Sequence, residues 1–238
     1  MFVNALGVPP AAIKNLLAVF SDSASRHGSE HVAIVHGEFN RLYGVYRDTF
    51  SSEVQRFTCS FFDQYVFTDC IQSFALSYDI AGDAMEKRSG ANECARTLRL
   101  LLGKGGKGFE ALRSRCSTYA YAEVVKEFAY LLTETIISHV VMRKSFSEWG
   151  ALLLQEEVSA AIHVFEEDNC DTDDISVQVM FEKLKWTTKI LSIIQPVDIQ
   201  RYQIPYSWAD EERVRGIMGR RVDLSKAAVE NVKLSFVK

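Results

Sequence analysis

A run of glycines and lysines, LLGKGGKGFEAL at 101–112, has the composition of a loop that binds phosphate. A P-loop requires the order G-x-x-x-x-G-K-[ST], because its lysine contacts the phosphates and its hydroxyl holds magnesium. Gly103 and Gly108 have the required spacing, but Phe109 stands in the lysine position and no serine or threonine follows. The preceding ECARTLRLLL has helical spacing, whereas a P-loop follows a buried strand. We therefore predict a break between two helices and no nucleotide site.

The sequence HGSEH, from His27 to His31, matches the H-x-x-E-H pattern of one class of zinc proteases. That chemistry needs both imidazoles on one helical face with the glutamate beside the metal-bound water. Gly28 and Ser29 disfavour a helix at this point, and Ser29 is better interpreted as an N-cap with Glu30 in the first turn. We predict a helix start here, and a metal-dependent hydrolase using His27 and His31 remains an alternative.

The remaining chemical patterns are weaker. The acidic stretch from Glu166 to Asp174 lacks the central glycine and final glutamate of a calcium-binding EF-hand loop, so it is predicted to be a solvated inter-helix turn. There is no G-x-S-x-G elbow and no cysteine in a recognisable nucleophile motif. His139 and His163 lie within helical stripes and are predicted to be partly buried packing residues. We predict no catalytic residue, no cofactor and no bound metal.

Three tryptophans are predicted to pack in the core or between helices, with a role as interaction anchors as the alternative. They are Trp149, Trp186 and Trp208.

Composition excludes several classes of protein. The chain has 238 residues and a net charge of −4, whereas nucleic-acid-binding domains carry a basic surplus. No apolar run reaches the roughly 18–20 residues that cross a bilayer, and the N-terminal residues do not resemble a signal peptide. The cysteines are five in number, widely spaced and never in C-x-x-C order, which favours a reducing compartment. We expect a soluble protein of the cytosol or nucleus.

The apolar residues recur every three or four positions, which is typical of helices that bury one face. Four such stripes stand out: Leu42, Tyr46, Phe50, Val54, Phe57 and Phe61; Tyr121, Val125, Phe128, Leu132, Ile136 and Val140; Leu154, Val158, Ala161, Ile162 and Phe165; and Val177, Phe181, Leu184, Thr188, Leu191 and Ile194. The segment HVAIV at 31–35 is the one strand-like candidate. The prediction is an all-α fold.

Helices are predicted at 10–24, 30–62, 66–80, 84–102, 109–118, 120–146, 152–168, 173–195, 209–219 and 225–234. A soft boundary near 147–152 would divide the chain into a first bundle at 1–150 and a second at 151–238, which ends in short helices. The expected architecture is elongated, with stacked helical bundles.

From Val140 onward, the order of residues is similar to a known family. VVMRKSFSEWGALLLQEEVSAAIHVF contains an apolar triplet, then Lys144 and Phe146, a small-residue turn at Gly150, and a helix opening with L-Q-x-(D/E)-x-E-(L/V)-like order. FEKLKWTTKILSII and ERVRGIMGRRVDLSKAAVENVKL continue the similarity, with a turn from Arg221 to Leu224. This order resembles the C-terminal region of the subunit 4 family of the conserved oligomeric Golgi complex. The glycine run at 103–108 departs from the family, which has more continuous helix there.

The resemblance implies rods of stacked helical bundles, as in exocyst and related tethering complexes. It further implies a non-enzymatic subunit that captures retrograde vesicles at the cytosolic face of the Golgi. The implied partners are other subunits of the complex, SNARE proteins and small GTPases, with peripheral membrane association through those partners and no nucleic acid. A helical adaptor of another tethering complex, such as exocyst, is the alternative within this class.

The resemblance also implies contacts between helices. In the family, an arginine on the last long helix but one is thought to meet an acidic residue of the terminal helical unit. In this resemblance, Lys183 corresponds to that arginine, and Glu211, Glu212 or Arg213 lies near the position of the acidic residue. Lysine cannot make the bidentate contact of arginine, so a weaker link is expected.

The remaining residues proposed for inter-helix or partner contacts are Arg221 and Asp223, in the turn before the final helix.

Overall fold

A computed structural model describes the chain at residues 12–15, 18–19, 30–65, 67, 71–72, 74, 77–83, 93–102, 109–168, 175–205 and 210–237. The chain folds as an all-α helical bundle, as its periodicity predicts. The helices are α1 Glu30–Tyr65, α2 Glu93–Leu102, α3 Phe109–Arg115, α4 Thr118–Thr135, α5 Glu148–Asp168, α6 Ile175–Leu191, α7 Glu211–Met218 and α8 Lys226–Asn231.

Four short elements accompany these helices. Helix α4 continues as a π-helical turn at Ile136–Val141, and a 3₁₀ helix follows α6 at Pro196–Arg201. The two-residue strands β1, Ile204–Pro205, and β2, Phe236–Val237, pair in parallel. No strand was predicted at either place, because two residues are too few to show alternation in the sequence.

Helix α4 is central to the bundle. It packs against α1 on one side and α6 on the other, while α5 contacts α2 and α6. The Phe128 ring is buried, and its centroid lies 5.2–5.6 Å from those of Phe62, Phe109 and Phe165. These distances suit edge-to-face and tilted aromatic packing. Every residue of the second and third predicted stripes is buried, which confirms the helical period there.

The first stripe is only partly covered. Helices α1 and α4 run parallel, since Phe50 contacts Tyr119 and Phe62 contacts Phe128. Helix α4 begins at Thr118, so α1 extends beyond it toward its own N-terminus. Leu42 accordingly remains 55% exposed, whereas Phe50 is buried.

The fourth stripe ends earlier than predicted. Helix α6 stops at Leu191 instead of continuing to residue 195, and Ile194 beyond it is 66% exposed. The segment HVAIV at 31–35 lies in α1, so its β-branched residues are helical. The helices predicted at 209–219 and 225–234 are present with shorter bounds, and Asp210 caps the first of them.

Two predicted helices were wrong at their ends. Residues 77–81 are not helical, although a helix was predicted over 66–80. The predicted helix at 120–146 also stops short, because Phe146 has extended backbone. In both cases the backbone hydrogen bonds go to a distant segment instead of the next helical turn.

The buried core continues through the predicted boundary at 147–152. Helix α4 packs on α6 and helix α2 on α5, so helices from 1–150 are paired with helices from 151–238. One hydrophobic cluster contains residues from both sides of the boundary. Within the described ranges, the boundary therefore does not separate two cores.

Candidate functional site

The side chain of Arg221 is fully buried, and three of its nitrogen atoms donate hydrogen bonds. Its Nε and Nη2 donate to the two carboxylate oxygens of Asp223, at 2.8 and 2.7 Å. Its Nη1 donates to the carbonyl oxygens of Leu191 and Ile193, at 2.7 and 2.8 Å. The guanidinium thus joins the terminal helical unit to the end of α6.

The end of a helix suits this cation. The last four carbonyls of a helix have no partner within the helix, and the helix dipole places partial negative charge there. Leu191 is the final residue of α6, so its carbonyl is one of these acceptors. A planar guanidinium can serve the carboxylate and the carbonyls together, which a lysine ammonium cannot do with the same geometry.

The backbone around Arg221 is held by Phe146. The Phe146 N–H donates to the carbonyl of Arg220 at 2.9 Å, and the Phe146 carbonyl accepts from the N–H of Val222 at 2.9 Å. The next residue, Ser147, donates its N–H to the carbonyl of Tyr78 at 3.0 Å. Three segments that are distant in sequence therefore meet side by side in this joint. We call it the Phe146 joint.

Side chains reinforce the Phe146 joint. The rings of Tyr78 and Phe146 stack with centroids 4.9 Å apart, and the Tyr78 hydroxyl donates to Glu157 of α5. The Lys144 ammonium lies 5.3 Å from the centre of the Tyr78 ring, a cation–π distance. Burial lowers the pKa of Lys144, while the nearby Glu157 carboxylate opposes that shift. The arrangement is a packed polar cluster around a fully buried tyrosine.

Helix α5 begins within the same joint. The Ser147 hydroxyl accepts from the N–H of Gly150 at 3.1 Å and donates to the carbonyl of Ile80 at 2.6 Å. Gly150 has no space for a side chain, since a Cβ there would lie 1.7 Å from the Tyr78 carbonyl oxygen. The small-residue turn of the sequence therefore corresponds to a close approach between two backbones.

Asp223 is negatively charged in this arrangement. Its hydrogen bonds from Arg221 hold the pKa of the Asp223 carboxyl below its usual range, while partial burial opposes this shift. The carboxylate is 38% exposed, whereas the arginine is fully enclosed. The buried cation therefore has a permanent counter-ion, as a buried charge requires.

The structure gives Lys183 a different partner from the one predicted. Its ammonium contacts Glu134 of α4, instead of an acidic residue in the terminal unit. Glu211 pairs with Arg215 one turn further along α7, and Glu212 is exposed. Lys183 therefore does make an inter-helix contact, but the predicted pairing with the terminal unit was wrong. Lys183 lies on the face of α6 that packs against α4, where Thr133 also bonds to Met180.

The other predicted contact residues lie in the terminal unit. The Arg213 backbone N–H donates to the Asp210 cap at 2.8 Å, and its side chain is partly exposed. Arg221 contacts the end of α6 through its guanidinium, whereas Asp223 bonds to Arg221 within the same turn.

Arg215 was not among the contact residues predicted from the sequence. Its guanidinium donates to the carbonyls of Val229, Glu230 and Val232, and so holds α8 against α7.

The candidates for chemistry are separated or lie beyond the described residues. His27 lies outside them, and His31 is in the first turn of α1 without a described side chain. Residues 103–108 also lie outside them, between the end of α2 and the start of α3. Helix α2 confirms that ECARTLRLLL is helical. The acidic stretch is described only as far as Asp168, the last residue of α5.

The predicted packing residues have mixed outcomes. His139 packs edge-on against Phe67, but His163 is exposed, so its predicted burial was wrong. Trp186 is half-buried, whereas Trp149 is 46% exposed and contacts Gly82. Trp208 lies outside the described residues.

Sequence patterns could have identified part of this joint. A serine three residues before Gly150 at a helix start is an N-cap signal, and Ser147 has that position. Tyr78 and Phe146 carry no such signal, because their pairing depends on segments nearly 70 residues apart.

In the part of the chain that the structure describes, no three potential ligands among histidine, cysteine, aspartate and glutamate are grouped as a metal site would require. None of the described helices combines the length and apolarity needed to cross a bilayer.

Comparison with known proteins adds no relative: no family model and no curated protein matches the chain.

Proposed function

We propose that this chain is a non-enzymatic part of a vesicle-tethering complex, serving as a scaffold and docking surface in retrograde intra-Golgi transport. The observation that carries the proposal is the ordered resemblance from Val140 to the end of the sequence, which ends in the turn from Arg221 to Leu224. We place the protein at the cytosolic face of the Golgi membrane, where partner subunits would hold it. SNARE proteins and small GTPases are the further expected partners.

The all-α architecture supports this proposal. Tethering subunits of this kind work by presenting the outer faces of packed helices, and the chain consists of helices that bury their apolar stripes against each other. The Phe146 joint and Arg221 attach the terminal unit to this bundle through several buried bonds. A surface built across that joint would keep one shape when a partner binds, which lowers the entropic cost of association.

The test is reconstitution with purified components. The chain is immobilised and mixed separately with subunits of the conserved oligomeric Golgi complex, with exocyst subunits and with Golgi SNARE proteins. Retention of a Golgi-complex subunit, with no retention of exocyst subunits, is the expected result. Retention of exocyst subunits alone would instead favour an adaptor of that complex.

An Arg221→Ala variant provides the internal comparison. It should bind more weakly to any partner that contacts the terminal unit, because the unit loses the hydrogen bonds of Arg221 to the end of α6. An Arg47→Ala variant is the matched control, since Arg47 is exposed on α1 and pairs with its neighbour Asp48. Failure of the parent chain to retain any of these proteins would overturn the proposal.

A further inference from the structure

A groove of about 560 Å³ runs between helices α5 and α6. Its described lining extends along α5 from Gln155 to Glu166 and also includes Tyr202. At 1.5 Å per residue this is a length of roughly 16 Å, equal to about five residues of extended peptide. The groove is therefore of a size to hold a short peptide segment.

The charge of the groove differs from that of the whole chain. Among its described lining residues there are two lysines, Lys185 and Lys189, and a single carboxylate, Glu166. The full chain carries a net charge of −4, so this surface is locally basic on a protein that is acidic overall. His163 also lies on the α5 wall, on the side where Glu166 faces Lys185.

Lys185 and Lys189 are neighbours on the surface of α6. They are four residues apart on α6, so they project from the same face on successive turns. Lys185 lies 3.6 Å from Glu166, a loose ion pair in which both side chains are 40–49% exposed. A loose and solvated pair of this kind is worth little, so a carboxylate from a ligand can compete for the lysine.

Lys189 is held in a defined position. Its ammonium lies 4.8 Å from the centre of the Trp186 ring and 4.3 Å from that of Tyr202. Two aromatic contacts restrict a side chain that otherwise has many rotamers, so a ligand would lose less entropy in ordering it. The groove lining also contains Val158 and Ile162, which are almost completely buried.

We propose that the α5–α6 groove binds an acidic peptide segment of a partner protein, with its carboxylates on Lys185 and Lys189. This deepens the proposed function, on which it rests, by naming the chemistry of one docked partner. A concave groove of this length fits a peptide better than the surface of a flat bilayer. Two lysines are also few for a nucleic acid, which such a negatively charged protein would repel.

The test begins with an unbiased probe. A phage library of random 12-residue peptides is selected on the folded chain, and the recovered peptides are synthesised with a fluorescent label. The proposal predicts enrichment of Asp and Glu among them, and binding that weakens as salt is raised from 50 to 500 mM. Absence of enrichment, or recovery of neutral or basic peptides only, would overturn it.

Variants then locate the binding site by fluorescence anisotropy. Lys185→Glu and Lys189→Glu should each weaken binding on the order of tenfold, because each places a negative charge against the peptide. Lys226→Glu is the control, since this exposed lysine lies on α8 and does not line the groove. Unchanged affinity in Lys185→Glu would contradict the proposal. If Lys189→Glu does not fold, the result for Lys185→Glu decides the test by itself. Lys185 is half-exposed, so its replacement should leave the fold intact.

A membrane arm distinguishes lipid from peptide. Vesicles of phosphatidylcholine with about 30% phosphatidylserine are sedimented with the parent chain and with the Lys185→Glu variant. Cosedimentation that depends on Lys185, without recovery of acidic peptides, would identify a lipid surface and overturn the peptide proposal. The reconstitution with tethering subunits is done with the unmodified chain. If the chain retains those subunits but the peptide tests fail, only the proposal of a peptide site in the groove is rejected, and the proposed tethering function stands.

Discussion

The buried guanidinium of Arg221 takes part in two different interactions. It neutralises Asp223 within its own turn, and it also occupies carbonyl acceptors at the end of α6. Either interaction alone leaves part of a buried cation unsatisfied, which is costly. We therefore expect even a conservative change at this residue to lower the stability of the chain.

We predict that Arg221→Lys lowers the free energy of unfolding by about 2 kcal/mol. The ammonium keeps the charge but cannot reach the carboxylate and both carbonyls in the same plane. The measurement is urea unfolding monitored by circular dichroism. Arg47→Lys is the control, and its change should stay within about 0.5 kcal/mol because that arginine is exposed. Equal effects in the two variants would show that Arg221 contributes no more than a surface pair.

A pH titration tests the charge of Asp223. The pKa of the Asp223 carboxyl is lower in the folded chain than in the unfolded chain, where it is about 3.9. The carboxylate therefore contributes its full stabilisation at pH values above the unfolded pKa. This contribution is lost as the pH falls through the folded pKa. We predict that Asp223→Asn is less stable than the parent by about 1–2 kcal/mol at pH 7. This difference should shrink below pH 4, as the parent carboxyl becomes protonated. A difference that is independent of pH would contradict an ionic role.

At the scale of elements, Gly150 fixes the distance between the first turn of α5 and the segment at Tyr78. We predict that Gly150→Ala costs about 3 kcal/mol of stability, because its Cβ would overlap the Tyr78 carbonyl oxygen. Thermal and urea unfolding measure the effect.

At Gly44 we expect the opposite effect of an alanine substitution on stability. It lies in α1 with nothing within 4 Å of the added Cβ, so Gly44→Ala should stabilise the chain by about 0.5–1 kcal/mol through helix propensity. Destabilisation in both glycine variants would indicate a general effect of substitution, and would remove the argument from close approach at Gly150.

Phe128 tests the centre of the bundle. The ring is fully buried among aromatic neighbours from α1, α3 and α5, so Phe128→Ala should cost about 3–5 kcal/mol. Tyr130, two residues further along α4, is 45% exposed, and Tyr130→Ala should cost less than about 1 kcal/mol. A small loss in Phe128→Ala would mean that α4 is not the core helix described above.

The elements could be predicted from sequence where their contacts are periodic. Phe128, Leu132 and Ile136 recur at helical spacing because they face the same neighbours, so the pattern shows both the helix and its buried face. Phe146 gives no such signal, because its partners lie at 220–222 and near 78 and depend on the completed fold. Lys183 shows a related limit: the sequence placed it on a helix but could not specify which neighbouring helix its face would meet.

At the scale of the molecule, the core contains helices from both sides of residues 147–152. We therefore predict one cooperative unfolding transition, since neither half has a separate core to retain. Tryptophan fluorescence and far-ultraviolet circular dichroism should give the same urea midpoint. Two separated transitions would restore the division at that boundary.

The proposed role in tethering also belongs to this scale, because it concerns the outer surface of the assembled helices. The sequence suggests the role only through the order of residues after Val140, and the fold is compatible with many helical scaffolds. Identification of the partner proteins therefore decides which kind of helical scaffold this chain is.

The most direct measurement is affinity purification of the tagged protein from cells, followed by quantitative mass spectrometry. We predict recovery of the other subunits of the conserved oligomeric Golgi complex in near-equal amounts, and their loss from an untagged control. Recovery of the tagged protein without any of those subunits would contradict the account.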